Sequence, residues 1–282
     1  MMRIDAHQHY WSLAWGGYAW LGPARPVINR DFLPGDLAPL LAHNGVDQSV
    51  VVQSIPTLAE TEFLLTLAEN EATIAGIVGW VDLASSSVLD DLERLAEHDK
   101  FLGIRLMAQP EPDPDWIAQP EFQPALNKLA SLGKSLDVIV LGAHLPALER
   151  LVARHPDLQV LINHTAKPAI ADGVFESWSL AMRGLADKPN TFCKLSGLTA
   201  VAGPESSAND LAHFVKEVIA AFSPNRTIWG SDWPVLNETS TYENWVAITD
   251  GLLASLAPEE QAQILGGNAI TAYRLPQTKR RQ

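Results

Sequence analysis

The 282-residue chain contains little of several features that would assign its class at once. It has one cysteine, Cys193, so no disulfide can form within it. Because Cys193 lies inside an apolar run, we expect a buried and unreactive thiol. Basic residues are few: 20 lysines and arginines stand against 33 aspartates and glutamates, a formal net charge of −13. This charge argues against a surface that binds nucleic acid.

Long apolar runs are also missing. No run approaches the roughly 18 residues that a membrane span needs, and the chain opens directly on a strand-like segment without a charged and apolar leader. We therefore expect a cytoplasmic protein whose partners include neither membrane nor nucleic acid, with a homo-oligomer left open. Hydrophobic residues make up 47% of the chain and charged residues 19%, a globular composition with enough apolar surface for a large core.

Short apolar, strand-like segments alternate along the chain with segments of helical periodicity. Eight such pairs, without a repeat or a linker, predict a (β/α)8 barrel, one domain over residues 1–282 with a short C-terminal helical appendage. An open doubly wound sheet is the alternative, although no G-x-G-x-x-G follows the first strand. The predicted strands are 2–9, 50–53, 76–80, 102–106, 136–141, 158–163, 191–195 and 226–229. The predicted helices are 36–43, 57–70, 87–98, 120–132, 146–155, 174–186, 208–222 and 242–256, and the appendage is 258–265 with 268–274.

Two histidines, His7 and His9, end the first predicted strand. Side chains two residues apart on a strand point to the same face, so these imidazoles can together hold a metal ion, a water or a carbonyl group. An isolated His-x-His is more often structural, but a barrel places its catalytic residues at the carboxyl ends of its strands. The later strands also have polar residues within them, at their ends or just after them. These residues are Gln53, Asp82, Arg105, His164, Lys194 and Asp232.

Several longer segments match a known family in order along the chain. They are residues 3–11 (RIDAHQHYW), 30–34 (RDFLP), 56–62 (PTLAETE), 79–82 (GWVD), 103–105 (GIR), 163–168 (NHTAKP), 193–197 (CKLSG), 230–234 (GSDWP) and 266–268 (GGN). With these segments the chain resembles the amidohydrolase superfamily, and within it the lactonase-rich amidohydrolase-related branch. The likeness is greatest to L-fuconolactonases and L-rhamnonolactonases, which open sugar lactones.

The chain departs from the family pattern at two places. Asn163 replaces the aspartate of the usual D-H-A-G-K-P segment, and Thr165 and Ala166 replace its Ala-Gly. The fifth strand lacks the histidine of binuclear members, and Arg105 lies in the fourth strand, where no candidate for a bridging carboxylated lysine stands out. The resemblance therefore implies at most one divalent metal ion, such as zinc, and is also compatible with a metal-independent enzyme.

The resemblance implies a carboxylic ester hydrolase that opens a sugar lactone to the aldonic acid by attack of an activated water on the lactone carbonyl. It implies Asp232 as general acid/base. His7, His9 and His164 would either share one metal ion with Asp232 or polarise the carbonyl. The alternatives are a non-oxidative decarboxylase of the same superfamily and a dicarboxylate pyrone lactonase, and a non-catalytic ligand-binding barrel is a third interpretation.

Substrate-binding candidates surround this group. We expect Arg105 and Lys194 to bind substrate oxygen atoms, with an ion pair to Asp82 or Asp5 as the alternative. Lys167 is a weaker candidate that we expect nearer the solvent. The aromatic first loop, residues 10–35, should hang over the mouth of the barrel and bring rings to a sugar face. The other candidates are Gln53, Trp20 and His144, the last equally interpretable as the start of the next helix.

Overall fold

The computed structural model describes residues 2–170, 175–203 and 207–276. Eight parallel strands pair in sequence order from β1 to β8, and helices surround them. This topology confirms the predicted (β/α)8 barrel and is incompatible with an open doubly wound sheet. The strands are β1 (Ile4–Gln8), β2 (Gln48–Val52), β3 (Ile74–Gly79), β4 (Phe101–Met107), β5 (Ser135–Ile139), β6 (Val160–Ile162), β7 (Thr191–Leu195) and β8 (Thr227–Trp229).

The helices follow the predicted order, with one addition after β7. Val174, where one helix was predicted to begin, lies outside the described residues. None of the helices in the described ranges is long and apolar enough to cross a membrane. The α-helices are α1 (Pro34–His43), α2 (Leu58–Asn70), α3 (Val88–Ala96), α4 (Gln123–Ser131), α5 (Leu145–Arg154), α6 (Glu176–Ala186), the added α7 (Leu198–Ala202), α8 (Ala208–Phe222), α9 (Tyr242–Leu253), α10 (Pro258–Ala262) and α11 (Asn268–Tyr273).

The C-terminal appendage packs against the amino ends of the strands. A Cβ on Gly266 would lie 2.2 Å from the Met2 carbonyl oxygen, so only glycine fits this approach. Asn268 donates to the Thr227 carbonyl at the start of β8. The Tyr273 hydroxyl donates to the buried Asp137 carboxylate over 2.9 Å. The appendage is therefore part of the barrel core, at the end opposite to the expected active site.

The barrel closes between β1 and residues 231–233, which we call the closing segment. The Asp232 amide donates to the His7 carbonyl and the His9 amide donates to the Trp233 carbonyl, both over 2.7 Å. Below them the buried Asp5 carboxylate accepts from the Ser231 amide over 2.8 Å and from the Tyr242 hydroxyl over 3.0 Å. The backbone bonds that close the barrel thus belong to residues predicted to carry the chemistry.

Candidate active site

Three imidazoles converge on one carboxylate oxygen. Asp232 Oδ1 lies 3.2 Å from His9 Nε2 and 3.7 Å from both His7 Nε2 and His164 Nε2. All four side chains are almost completely buried. The four residues come from the ends of β1, β6 and β8, so the closing of the barrel brings together the group that the sequence predicted.

The backbone on both sides of this group is left-handed. Asp232 has φ of 64°, and His164, Thr165, Ala166 and Lys167 have φ between 46° and 59°. This conformation costs a residue other than glycine about 1 kcal/mol or more, and it is found mainly where function requires it. The strained turn at residues 164–167 is held by the bond from the Lys167 amide to the His164 carbonyl, over 2.8 Å. It turns the side chains of its first and last residues, His164 and Lys167, towards one cavity.

Gly197 makes room for His164. A Cβ at this position would lie 2.6 Å from His164 Nδ1 and 3.1 Å from Asp232 Oδ2, and its φ of +63° also favours glycine. The neighbouring Ser196 hydroxyl lies 2.9 Å from His164 Nδ1 and fixes the ring. The C-K-L-S-G segment, which runs from within β7 to Gly197, therefore supports the His164 ring through both a close approach and a hydrogen bond.

Burial determines the charge of the group. It lowers the pKa of His7, His9 and His164, the last to about 3, because a buried imidazolium loses its hydration. Burial alone would raise the pKa of Asp232, but the neighbouring His164, His9 and Lys167 outweigh it and bring that pKa to about 2. At neutral pH the group is therefore one carboxylate surrounded by neutral imidazoles.

His9 and Asp232 fit a shared cation. His9 Nδ1 lies 2.7 Å from the Val52 carbonyl, which can only accept, so this nitrogen carries the proton of the neutral ring. The lone pair of Nε2 then faces a carboxylate oxygen at 3.2 Å. Ligands of a tetrahedral zinc, bound at about 2.1 Å, lie roughly 3.4 Å apart. The donor atoms of His7, His9 and Asp232 all lie within 4.8 Å of one another, and His7 Nε2 has no hydrogen-bond partner in the described residues.

Lys194 stands behind this group rather than in the cavity. It is completely buried, forms an ion pair with Asp137 and donates to the Ala6 carbonyl over 2.9 Å. Its Nζ also lies 3.4 Å from His7 Nδ1. Lys194 thus does not line the cavity, and the ion pair expected as the alternative is present, with Asp137 as partner instead of Asp82 or Asp5. Because an ammonium only donates, it favours the proton of His7 on Nε2, so His9 is the better metal ligand of the two.

A cavity of about 450 Å³ opens over the group. Three further predicted residues, Arg105, Trp20 and the weaker candidate Lys167, line it, whereas Gln53, Lys194 and His144 do not. His144 Nδ1 accepts from the Leu141 amide over 3.1 Å, and His144 lies directly before α5, as its alternative interpretation expected. The lining residues are His9, Gly17, Ala19, Trp20, Arg25, Ser54, Ile55, Pro56, Arg105, Met107, Gln109, Ile139, His164, Lys167, Asp232 and Val235.

Arg105 is a buried guanidinium that bonds to Gln53. Its Nη2 donates to Gln53 Oε1 over 2.8 Å and to the Gln53 carbonyl, and its Nε is unpaired within the described residues. No carboxylate of the described ranges lies within ion-pair distance of it. Gln53, predicted to touch substrate, therefore orients Arg105 instead, and leaves its charge for an oxygen atom in the cavity.

The first loop delivers one of its rings to the cavity. Trp11 is fully buried and donates to the Arg30 carbonyl over 2.8 Å, so it is structural. Trp15 is 42% exposed and packs on Phe63 outside the cavity. Trp20 lines the cavity beneath Arg25, whose guanidinium lies 5.0 Å from the ring centre. Part of this loop is thus a cap and part a wall of the cavity.

Sequence reasoning missed Arg25 and Gln109, named Lys167 only as a weaker candidate and gave Glu60 no place near the cavity. Arg25 ties the first loop to the loop after β8 through an ion pair with Glu238. Gln109 and Lys167 line the cavity and bond to each other over 2.7 Å. For Lys167 and Glu60 a signal was available, since both lie in segments that match the family.

Glu60 holds the wall of the cavity from behind. The spacing of Thr57 and Glu60 in T-L-A-E is that of a capping box, and the Thr57 hydroxyl accepts from the Glu60 amide. The Glu60 carboxylate, however, accepts from the amides of Ser54 and Ile55, over 2.8 and 2.9 Å, and from the Tyr18 hydroxyl over 3.3 Å. Burial raises the pKa of Glu60 to about 7.

Comparison with known proteins places this geometry in a family. The profile of the amidohydrolase family matches residues 4–275. The chain belongs to the amidohydrolase family. It is 43% identical over 277 residues to an L-fucono-1,5-lactonase of Burkholderia ambifaria, covering 97% of this chain and 96% of that one. An L-fucono-1,5-lactonase of Burkholderia multivorans is 34% identical over 290 residues, covering 98% and 97%. A crystal structure of a Burkholderia multivorans amidohydrolase with bound zinc superposes with a TM-score of 0.92 at 34% identity, covering 98% of this chain and all of that one.

Glu60 should make the stability of this amidohydrolase depend on pH. Its pKa in the folded chain, about 7, exceeds the ordinary 4.5, so the folded state prefers the protonated form and loses stability as pH rises between these values. Glu60→Gln keeps the hydrogen bonds without the titration. Urea unfolding should show equal stability at pH 4.5 and a variant more stable by up to about 3 kcal/mol at pH 8. Glu62→Gln, exposed on the same helix, is the control. Parallel pH profiles for wild type and Glu60→Gln would contradict this.

Proposed function

We propose that this amidohydrolase hydrolyses the lactone of a sugar acid, a 1,5-lactone of the L-fuconate type, to the aldonate. One observation carries the proposal. Three buried imidazoles surround a single ionised carboxylate, Asp232, beside the Arg105 guanidinium, which has no acidic partner among the described residues, in a cavity of about 450 Å³. The relatives that match nearly the full length of the chain at 43% and 34% identity are L-fucono-1,5-lactonases.

The residues divide the reaction among them. Asp232 takes a proton from a water molecule, whose oxygen attacks the lactone carbonyl carbon. Arg105 stabilises the negative charge that develops on the carbonyl oxygen. When the tetrahedral intermediate collapses, the ring C–O bond breaks and Asp232 returns the proton to the leaving oxygen. One water is consumed, and the product is a hydroxy acid that ionises at neutral pH.

The low pKa of Asp232 makes it a weak base, so the water needs to become more acidic. Neutral His9 and His164 can accept a hydrogen bond from the water through Nε2. One divalent ion, when bound, would act as a Lewis acid and lower the pKa of the water, and His9, Asp232, His7 and His164 would hold it. Because Lys194 disfavours a lone pair on His7 Nε2, we place His9 and Asp232 first among these ligands.

Neither alternative activity has an observation of its own in its favour. Loss of carbon dioxide and opening of a pyrone dicarboxylate use the same fold and the same histidines. Arg25 is neutralised by Glu238, so Arg105 and Lys167 are the cavity cations without an acidic partner among the described residues. We therefore retain the sugar lactone as substrate and let the first experiment include the other two reactions.

A substrate panel tests the proposed function directly. Purified protein is mixed with 1,4- and 1,5-lactones of L-fuconate, L-rhamnonate and other sugar acids, with 2-pyrone-4,6-dicarboxylate, and with hydroxybenzoates. Proton release is followed with a pH indicator against the uncatalysed rate, and carbon dioxide is measured separately. We expect hydrolysis of L-fucono-1,5-lactone with kcat/KM in the ordinary enzymatic range, about 10⁴ M⁻¹s⁻¹ or more. Turnover of none of the sugar lactones would overturn the proposal.

Asp232→Asn should leave the fold intact and remove turnover. Asparagine tolerates the left-handed backbone at this position, and the closing hydrogen bonds use only the main chain. Loss of the general base should lower kcat by about 10²- to 10⁴-fold. Asp82→Asn is the matched control, because Asp82 follows β3 but is exposed and only accepts from the Ala84 amide. A folded Asp232→Asn variant with near-normal kcat would exclude Asp232 as the base.

Trp20→Ala should weaken substrate binding more than catalysis. A ring that stacks on the apolar face of a sugar stabilises ground state and transition state about equally, so its loss raises KM and changes kcat little. Removal of one stacked ring should raise KM by roughly 5- to 10-fold. Trp15→Ala, whose ring packs outside the cavity, should keep the wild-type KM. If the two variants have the same KM for the sugar lactone, Trp20 is a structural residue of the cap.

A further inference from the structure

Lys167 and Gln109 form a polar pair on the upper wall of the cavity. Lys167 follows β6 and Gln109 follows β4, so the pair spans the carboxyl end of β5 between them. Lys167 Nζ donates to Gln109 Oε1 over 2.7 Å. In the described part of the chain this is the only hydrogen bond of Nζ, an ammonium with three N–H donors. Two donors therefore remain for a ligand.

The pair lies at a different depth from the catalytic group. Asp232, His9, His164 and Arg105 are 5% exposed or less, whereas Lys167 is half-buried and Gln109 is exposed. A lactone whose carbonyl reaches Arg105 and Asp232 therefore presents its ring substituents, and not its acyl carbon, to Lys167 and Gln109. On a sugar lactone these substituents are hydroxyl groups.

The chemistry of the pair fits a hydroxyl. A hydroxyl both donates and accepts, and the pair offers an ammonium donor beside an amide oxygen acceptor. A carboxylate would be better matched by the two parallel donors of an arginine, and Arg25, the arginine at this wall, is already paired with Glu238. The amide oxygen of Gln109 adds an acceptor that a carboxylate cannot use.

The turn that places Lys167 on this wall has a strained backbone. Lys167 is the last of four successive left-handed residues that begin at His164, and none of the four is glycine. The turn is buttressed by the Trp178 indole, which donates to the Thr165 carbonyl over 2.8 Å. The same strained segment thus fixes both a catalytic ring and a wall residue relative to each other.

We propose that Lys167 and Gln109 are specificity-determining residues that recognise a ring hydroxyl of the substrate. This inference rests on the proposed function and names the part of the substrate that the site reads. A buried or half-buried hydrogen bond to a charged donor distinguishes a hydroxylated substrate from one without the group, because the donor otherwise stays unpaired in the complex. The pair should therefore favour polyhydroxylated lactones over simple ones.

The test compares two lactones that differ in hydroxyl groups. L-Fucono-1,5-lactone carries them, and δ-valerolactone has the same ring size without them. Lys167→Met removes the donor and keeps the length of the side chain. We expect kcat/KM for the sugar lactone to fall by about 10- to 100-fold and for δ-valerolactone by much less, with Gln109→Leu showing the same selectivity. Lys216→Met, exposed on α8, is the control and should change neither value.

The other outcomes overturn the inference in distinguishable ways. Equal losses on both lactones in Lys167→Met and Gln109→Leu, or no loss in either variant, would show that the pair does not read a hydroxyl, while wild-type turnover would keep the proposed function intact. Wild-type protein that opens no sugar lactone would remove the proposed function and this inference together. If Lys167→Met lowers Tm and loses both activities, Gln109→Leu decides, because Gln109 is exposed and outside the strained turn.

Discussion

Two backbone hydrogen bonds hold both the barrel and its site together. The bonds from Asp232 to His7 and from His9 to Trp233 join the first strand to the closing segment, each over 2.7 Å. They fix the distance between the carboxylate and the imidazoles through the main chain rather than through side-chain contacts. Buried Asp5 supports the same segment from below by accepting from Ser231 and Tyr242. The contacts that close the barrel therefore also bring Asp232 next to His7 and His9.

Around this contact, charged side chains lie at three depths: behind His7, at the level of Asp232 and nearer the mouth of the cavity. Ion pair Lys194–Asp137 lies behind His7, and the Tyr273 hydroxyl from the C-terminal helix completes it. Arg105, oriented by Gln53, lies at the depth of Asp232, and the pair Lys167–Gln109 lies nearer the mouth. A cation that is compensated serves the structure, and one that faces only an amide oxygen remains for a ligand. Whether a cation has an acidic partner therefore distinguishes a structural role from a ligand-binding role better than its position on a strand does.

Much of the fold followed from the sequence, because eight apolar segments alternate with helical periodicity and each strand was found within a few residues of its predicted place. The convergence of His7, His9, His164 and Asp232 also followed, since carboxyl ends of parallel strands share one rim. The partners of buried polar groups did not. Lys194 and His144 end strands or begin helices like ligand-binding residues, and no local pattern reveals that Asp137 and Leu141 satisfy them. Glu60 was missed for a different reason. The spacing of a capping box fits a glutamate whose carboxylate bonds to another loop as well as one whose carboxylate caps its own helix.

Closure through the main chain has a consequence for how such a protein can change over time. A backbone amide and carbonyl are the same in every residue except proline, so exchanging the side chains at residues 7, 9 and 232 leaves both closing hydrogen bonds possible. Mutations at the reacting group then need not break the contact that closes the barrel. Selection can explore new chemistry on a scaffold that persists, and a lineage can lose or replace its catalytic groups while its shape survives.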